Sequence, residues 1–459
     1  MDTIRNNIYT VPLKGVTIFT KLISNDTKRV FSIALPAALK HLVDILQIII
    51  DMLMVGMISV SALAAVGMSM QFMMVINVLM TLYVVGGNAL ISRFIGQGRK
   101  RRASALLYSL GIFAIVLSVF VTIGGYMGSE SIYTLMGAQP EVVKQGSMYF
   151  KILCLGIVVI FIDNLLYNAL SAAGDTKSSL YIKLVSACIN AFLNYVLIFG
   201  HFGFEAHGIE GAAYATVIAY CFNVAAYFIL IKKPHSKLNI IPIIRMSDMK
   251  RVWNVGWSAA LDRGISSMSF LVFISIITAY GTAELAGYQV GLRIEGIAFM
   301  PGFGFAIAAM ALVGQNLGAN NKDKAYNMGV ISGRIAYMFM GSVGVILILF
   351  PEFLVGFFTT DAPTIAVASQ YLVLVGLAQI PLAIMFVYSG ALRGAGATRT
   401  TLKINVLSLW FLRVIPSYIA YKYGFGIIAI FVIMNVETLL KGIIFWYIYH
   451  KKEWLHIKV

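Results

Sequence analysis

Long apolar runs alternate with short polar interruptions from about residue 30 to residue 450. A helix needs roughly 20 consecutive apolar residues to cross the hydrocarbon core of a bilayer. Segments of that kind fall near 31–55, 62–90, 104–126, 147–169, 178–200 and 209–231, then 253–279, 284–313, 326–350, 368–390, 402–421 and 425–449. The pattern predicts an all-α membrane protein of twelve transmembrane helices. Between the sixth and seventh segments, residues 232–252 are charged and carry Pro234 and Pro242, which marks a linker.

The two sets of six are copies of one another. Leu170-Ser-Ala-Ala-Gly-Asp-Thr-Lys-Ser-Ser179 lies over Leu392-Arg-Gly-Ala-Gly-Ala-Thr-Arg-Thr-Thr401, a shift of 392 − 170 = 222. The same shift lays Ile95-Gly96 over Leu317-Gly318, Ala37-Ala38-Leu39 over Ala259-Ala260-Leu261, and Leu63-Ala64 over Leu285-Ala286. A duplicated, very apolar chain points to a transporter whose pathway runs between two homologous bundles. The expected division is an N-terminal segment 1–30, a lobe 31–231, the linker 232–252, a second lobe 253–449 and a tail 450–459. Val11 to Ser24 has the make-up of a short helix lying on the membrane surface.

Composition agrees, with 59% hydrophobic and 12% charged residues among 459. The net charge of +16 would suit nucleic acid, but its distribution argues for a membrane. Basic residues gather in alternate loops (Arg99 to Arg102, Lys177, Lys232 to Arg251, Lys322 and Lys324, Arg399), while the opposite loops carry Glu130, Glu141, Glu205, Glu284, Glu352 and Asp361. That positive-inside asymmetry implies a multi-pass protein of the cytoplasmic (inner) membrane with both termini in the cytoplasm. The first thirty residues are polar and mixed, without an apolar h-region or a small-residue cleavage site, so no signal peptide is expected there. Cys154, Cys188 and Cys221 fall inside spans and read as core residues. No phosphate-binding glycine-lysine loop and no metal-ligand spacing occur, so the reading is neither an enzyme nor a cofactor protein.

Ionisable groups inside a bilayer cost on the order of 3 kcal/mol each and call for a function or a partner. In the first span Lys40, Asp44, Gln47 and Asp51 fall at i, i+4, i+7 and i+11, along one helical face. Asp51, flanked by Ile48 to Ile50 and Met52 to Met54, is placed to take a proton or bind a small cation. Asn190 and Asn194 share a face of the fifth span, and Asp163, Tyr167 and Asn168 form a polar cluster in the fourth. In the second half stand Asp262 with Arg263, Arg293 with Glu295, Arg413, and Glu437 with Lys441. The last two, at i, i+4, read as an ion pair within one helix, and Glu295 is the expected partner of Arg413. Pro301 should break the eighth span after Glu295. Met52, Met54, Met68, Met70, Met73 and Met74 suit either packing or a permissive cavity.

At these residues the chain resembles the multidrug and toxic compound extrusion (MATE) transporters, in their bacterial DinF-like branch, over about residues 30–450. The likeness rests on Leu35-Pro36 followed by Asp51 in Ile-Asp-Met-Leu-Met-Val-Gly56, on Leu312-Val-Gly-Gln-Asn-Leu-Gly-Ala319, and on the paired turns ending at Lys177 and Thr398. The resemblance implies two six-helix bundles related by a pseudo-twofold axis. It also implies export of organic cations, a small-molecule partner, in exchange for protons or sodium, by a monomer. It carries over Asp51, Asn190, Asn194 and Thr216 as coupling residues and Glu295 as a second-lobe residue. Where that branch carries an aspartate this chain has Asn194, so Asp44 is the candidate replacement acid. The cavity or second-lobe network would hold Glu295, Arg293, Arg413, Gln47 and Asp163. A flippase for lipids or lipid-linked sugars is the alternative, and it would need more basic residues facing the cavity.

Overall fold

The computed structural model describes residues 24–234 and 236–457. The surface helix expected over Val11–Ser24 lies outside them, save for Ser24. The first half forms α1 (Asn25–Gly56), α2 (Val60–Gly96), α3 (Lys100–Leu135), α4 (Pro140–Ala172), α5 (Thr176–Phe199) and α6 (Gly208–Lys232). The second forms α7 (Met246–Thr278), α8 (Thr282–Ala298), α9 (Met300–Gly318), α10 (Lys322–Leu349), a short α11 (Pro351–Gly356) and α12 (Ala362–Gly394). It continues through α13 (Thr398–Leu407), a π-helical stretch Ser408–Val414, α14 (Ile415–Lys422) and α15 (Ile427–His450). By length and composition the chain has 12 membrane-spanning candidates among these.

Most helices outrun the apolar windows, because hydrogen bonding continues past the hydrocarbon until a cap stops it. α1 starts at Ser24, whose Oγ accepts from the Thr27 amide at 3.1 Å, rather than near residue 31. α2 starts on the Ser59 hydroxyl and α5 on the Asp175 carboxylate. α7 begins at Met246, inside the stretch expected to be linker. There Arg102 holds the fully buried Asp248 through two bonds of 3.0 and 2.6 Å, so α3 of the first lobe fixes the start of the second.

Each half is a six-span bundle, and one buried cluster joins Val30, Ile33 and Ala34 of α1 to the second half's α9, α10 and α12. In the first, α1 packs on α5, α4 on α2, α3 and α6, and α5 on α6. In the second, α12 is central and touches α8, α9, α10 and α15. The 222-residue repeat recurs in the geometry. Thr176 Oγ1 donates to Ile33 O at 2.8 Å, and Thr398 Oγ1 donates to Val255 O at 2.8 Å. Asn320, at φ 57°, takes the left-handed turn that Gly98, at φ 72°, takes in the first half.

The lobes meet along α1 and α2 against α7 and α9. A Cβ on Gly96 would overlap the Gln315 carbonyl, and one on Gly318 would overlap the Arg93 carbonyl, so only glycine permits this approach. The contacts are twofold equivalents (318 − 96 = 315 − 93 = 222). Arg29 Nη2 donates to Gln315 Oε1 at 3.0 Å, Gln315 Nε2 to Ala172 O at 2.9 Å, and Arg93 Nη2 to Ala395 O at 2.9 Å. All these lie at the ends bearing the basic loops. Toward the acidic loops, α8 packs chiefly on α12 of its own lobe, while α9 carries the contacts to α1 and α2. The junction therefore seals the basic face and parts toward the acidic one.

The eighth span is broken at Phe299, with Pro301 in the first turn of α9, where the missing amide costs nothing. A second irregularity, the π-helical turn Ser408–Val414 ahead of Pro416, interrupts the eleventh span. No feature of the apolar periodicity announces it.

Candidate functional site

The polar stripe of α1 faces α5, and the two stripes have matched spacing. Lys40, Gln47 and Asp51 stand at i, i+7 and i+11, as do Lys183, Asn190 and Asn194. With α1 packed on α5, this register brings each polar residue to a partner. Asn194 Nδ2 donates to Asp51 Oδ1 at 2.5 Å and lies 3.4 Å from Asn190 Oδ1. Both asparagines are fully buried. Lys183 Nζ donates to Gln47 Oε1 at 2.6 Å and pairs with Asp44 Oδ1 at 3.0 Å. The other Asp44 oxygen takes Lys40 at 2.7 Å, with His41 3.5 Å away.

These contacts separate the two acids of α1. Asp44 is neutralised by two ammonium groups, whereas Asp51 has no basic partner at salt-bridge distance among the described residues. Asp51 stands five residues before the end of α1 at Gly56, so Asp44 is the acid nearer the helix middle. Asp163 on α4 feels the charges of Lys40 and Lys183 and leaves its Oδ1 without a hydrogen-bond partner. Asn194 Oδ1 is likewise buried and unpartnered. Thr216 is half-buried on α6 and makes no hydrogen bond to the cluster. Asn168 turns instead to Asn88 on α2, at 3.2 Å.

The second lobe holds a different network. Arg413 Nη2 is 2.6 Å from Glu437 Oε2, and Lys441 Nζ is 2.8 Å from Glu437 Oε1. The pairing of Glu437 with Lys441 is as the spacing implied. The partner expected for Arg413 was Glu295, and the geometry corrects this: Glu295 accepts the Tyr371 hydroxyl on α12 instead. Glu437 wins because it is fully buried and reaches the guanidinium from α15, one short step from the π-helical turn. Arg293 is exposed and belongs to none of these pairs. Asp262 on α7 takes Arg393 at 2.9 Å and Asn405 at 2.9 Å. Asp262 and Asn405 occupy, at the 222-residue shift, the places of Lys40 and Lys183. The repeat thus keeps both positions, reversing the charge at the first and removing it at the second.

One further expectation is corrected: Cys154 is buried, but Cys188 and Cys221 are exposed rather than core residues. Met54, Met68, Met70 and Met73 pack against the first lobe's core. At the inner end of the lobe junction, His41 meets Tyr167 and Phe303, and Phe303 packs on Phe299 and Phe386. Lys183 is the site residue that sequence reasoning missed. Its signal was the matched i, i+7, i+11 register of the two stripes.

A family model described as MatE matches the chain twice, over residues 36–196 and 259–419. Among curated proteins, a probable multidrug resistance protein NorM of Thermotoga maritima is 29% identical over 401 residues, covering 86% of each chain. A FAD transporter of Shewanella oneidensis is 24% identical over 426 residues, covering 91% of this chain and 93% of its own. The solved structure of a MOP superfamily transporter from Pyrococcus furiosus superposes with a TM-score of 0.87 at 21% identity, covering 95% of this chain and 98% of the other.

Proposed function

This chain belongs to the MatE family of multidrug-efflux membrane transporters, and from that premise we propose that it exports organic cations in exchange for protons or sodium by alternating access. The observation that carries the reading is the Asp51–Asn194 contact, a carboxylate without a basic partner held on the face of α1 that meets α5. Intramembrane acids of this kind mark ion pathways. The polar surroundings from Asn190 and Asn194 suit a group that alternates between charged and neutral states. An aromatic group at the junction, Tyr167, Phe303 and Phe386, supplies the π faces that organic cations favour.

Several finer points belong to the same proposal. Residues 31–231 and 253–449 are the moving units, with 232–252 as their connection. The termini lie in the cytoplasm, as the basic loops on that face imply, and the chain acts as a monomer of the DinF-like branch. A phosphate-carrying flippase is the second reading: Lys40, Lys183, Arg393, Arg413 and Lys441 sit on carboxylates and are not free to hold phosphate, which disfavours it, whereas Arg263 on α7 and Arg293 on α8 have no carboxylate at salt-bridge distance among the described residues. Ethidium efflux from vesicles carrying the purified protein, driven in turn by a proton and a sodium gradient, tests the reading. Accumulated dye should leave under at least one gradient, and dye retained under both would refute an ion-coupled exporter.

A further inference from the structure

Lys183 has a place in the first lobe that charge neutralisation of Asp44 does not explain. That carboxylate already holds Lys40 at 2.7 Å on one oxygen and His41 3.5 Å away. Yet a second ammonium, with a side chain only 9% exposed, sits 3.0 Å from its other oxygen and 2.6 Å from Gln47 Oε1. The ammonium touches Asp44 and Gln47 of α1 and lies within charge range of Asp51 on α1 and Asp163 on α4. Asn194 of α5 joins the cluster through Asp51, and Asn190 through Asn194. Two acceptors of the cluster, Asp163 Oδ1 and Asn194 Oδ1, are buried with no hydrogen-bond partner. Hard oxygen ligands gathered about a buried positive charge are also what a small metal cation uses.

We propose that the Lys183 ammonium occupies the cation position of this cluster and so excludes sodium from it, a step that narrows the exporter reading above and rests on it. The charge count supports the assignment. With His41 neutral, three carboxylates (Asp44, Asp51, Asp163) face two ammonium groups (Lys40, Lys183), leaving one negative charge. A metal ion entering beside Lys183 would meet a fixed like charge and would find Gln47 and one Asp44 oxygen already taken. Without Lys183 the cluster carries two negative charges and regains both oxygens.

The test uses purified full-length protein and sodium chloride against potassium chloride at one pH and ionic strength. Wild-type Tm should respond equally to the two salts. Lys183→Met keeps the length of the side chain and removes its charge. It should acquire a sodium-specific rise in Tm, half-saturating on the order of 100-fold below any sodium concentration that affects wild type, the factor expected for two like charges about 5 Å apart at an effective dielectric near 20. Lys183→Arg should stay blind to sodium. If Lys183→Met does not fold, Lys183→Gln gives the same readout. A sodium-specific response in wild type, or sodium blindness in folded Lys183→Met or Lys183→Gln, would overturn the proposal. Neither result depends on dye transport, so failure of the exporter reading is seen separately, as dye retained under both gradients.

Discussion

Asp51 and Asp44 lie two helical turns apart on α1 and have opposite surroundings. Asp44 is half-buried between Lys40 and Lys183, and it keeps one ammonium partner when the other is removed. Asp51 is bound by the Asn194 amide alone among the described contacts and keeps the freedom to change charge. Asp51→Asn should therefore abolish gradient-driven efflux while the protein still inserts and folds, as judged by expression and Tm. Asp51→Glu, displaced by one methylene, should retain part of the rate. Asn194→Asp would place two carboxylates in contact, and such a pair holds a shared proton more tightly than one carboxylate alone. The pH profile of efflux should shift toward higher pH. An unchanged profile would take Asn194 out of the coupling site. The α1 stripe was legible from sequence because four polar residues at helical spacing stand out in an apolar run. Lys183 was not, since one lysine near a basic loop looks like an orientation signal until α1 is laid against α5. The choice between Glu295 and Glu437 for Arg413 was equally hidden. It depends on how the π-helical turn rotates Arg413, and no periodicity encodes that.

At the scale of elements, two features set how the lobes join. The Gly96 and Gly318 approaches admit no side chain, so Gly96→Ala or Gly318→Ala should cost the sealed state about 1–3 kcal/mol. The lobes should part at the basic face rather than unfold. Labelling of a cysteine at Gln97 by a membrane-impermeant maleimide, faster in the alanine variants at unchanged Tm, would show this. The clamp of Arg102 on Asp248 joins α3 to the start of α7. Arg102→Ala strips the fully buried Asp248 of its short ion pair, leaving only Arg251 at 3.5 Å, and should lower stability by about 3 kcal/mol, read as a fall in Tm of the purified protein. The number and order of spans were legible, because twenty apolar residues are a strong signal and the 222-residue repeat checks the count. The ends were not. Caps at Ser24, Ser59 and Asp175, and the docking of Met246 onward on α3, carry helix past the apolar windows.

At the scale of the whole molecule, the two lobes are sealed where the basic loops lie. The proposed exchange requires a second state in which the seal has moved to the acidic face, with each lobe moving largely as a body about the junction of α1 and α2 with α7 and α9. Sites for paired labels follow from the repeat. Gln97 and Ala319 are exposed on the basic face, and Val60 and Thr282 are exposed on the acidic face, each pair related by 222 residues. Gly96 and Gly318 themselves cannot carry labels, because any side chain there would disturb the seal. Spin-label distances across both pairs, recorded in vesicles with and without a proton gradient and ethidium, test the account most directly. The account predicts that the Gln97–Ala319 distance lengthens as the Val60–Thr282 distance shortens, and that Asp51→Asn suppresses the response to the gradient. Distances that stay fixed at both faces under every condition, while dye is still exported, would contradict it.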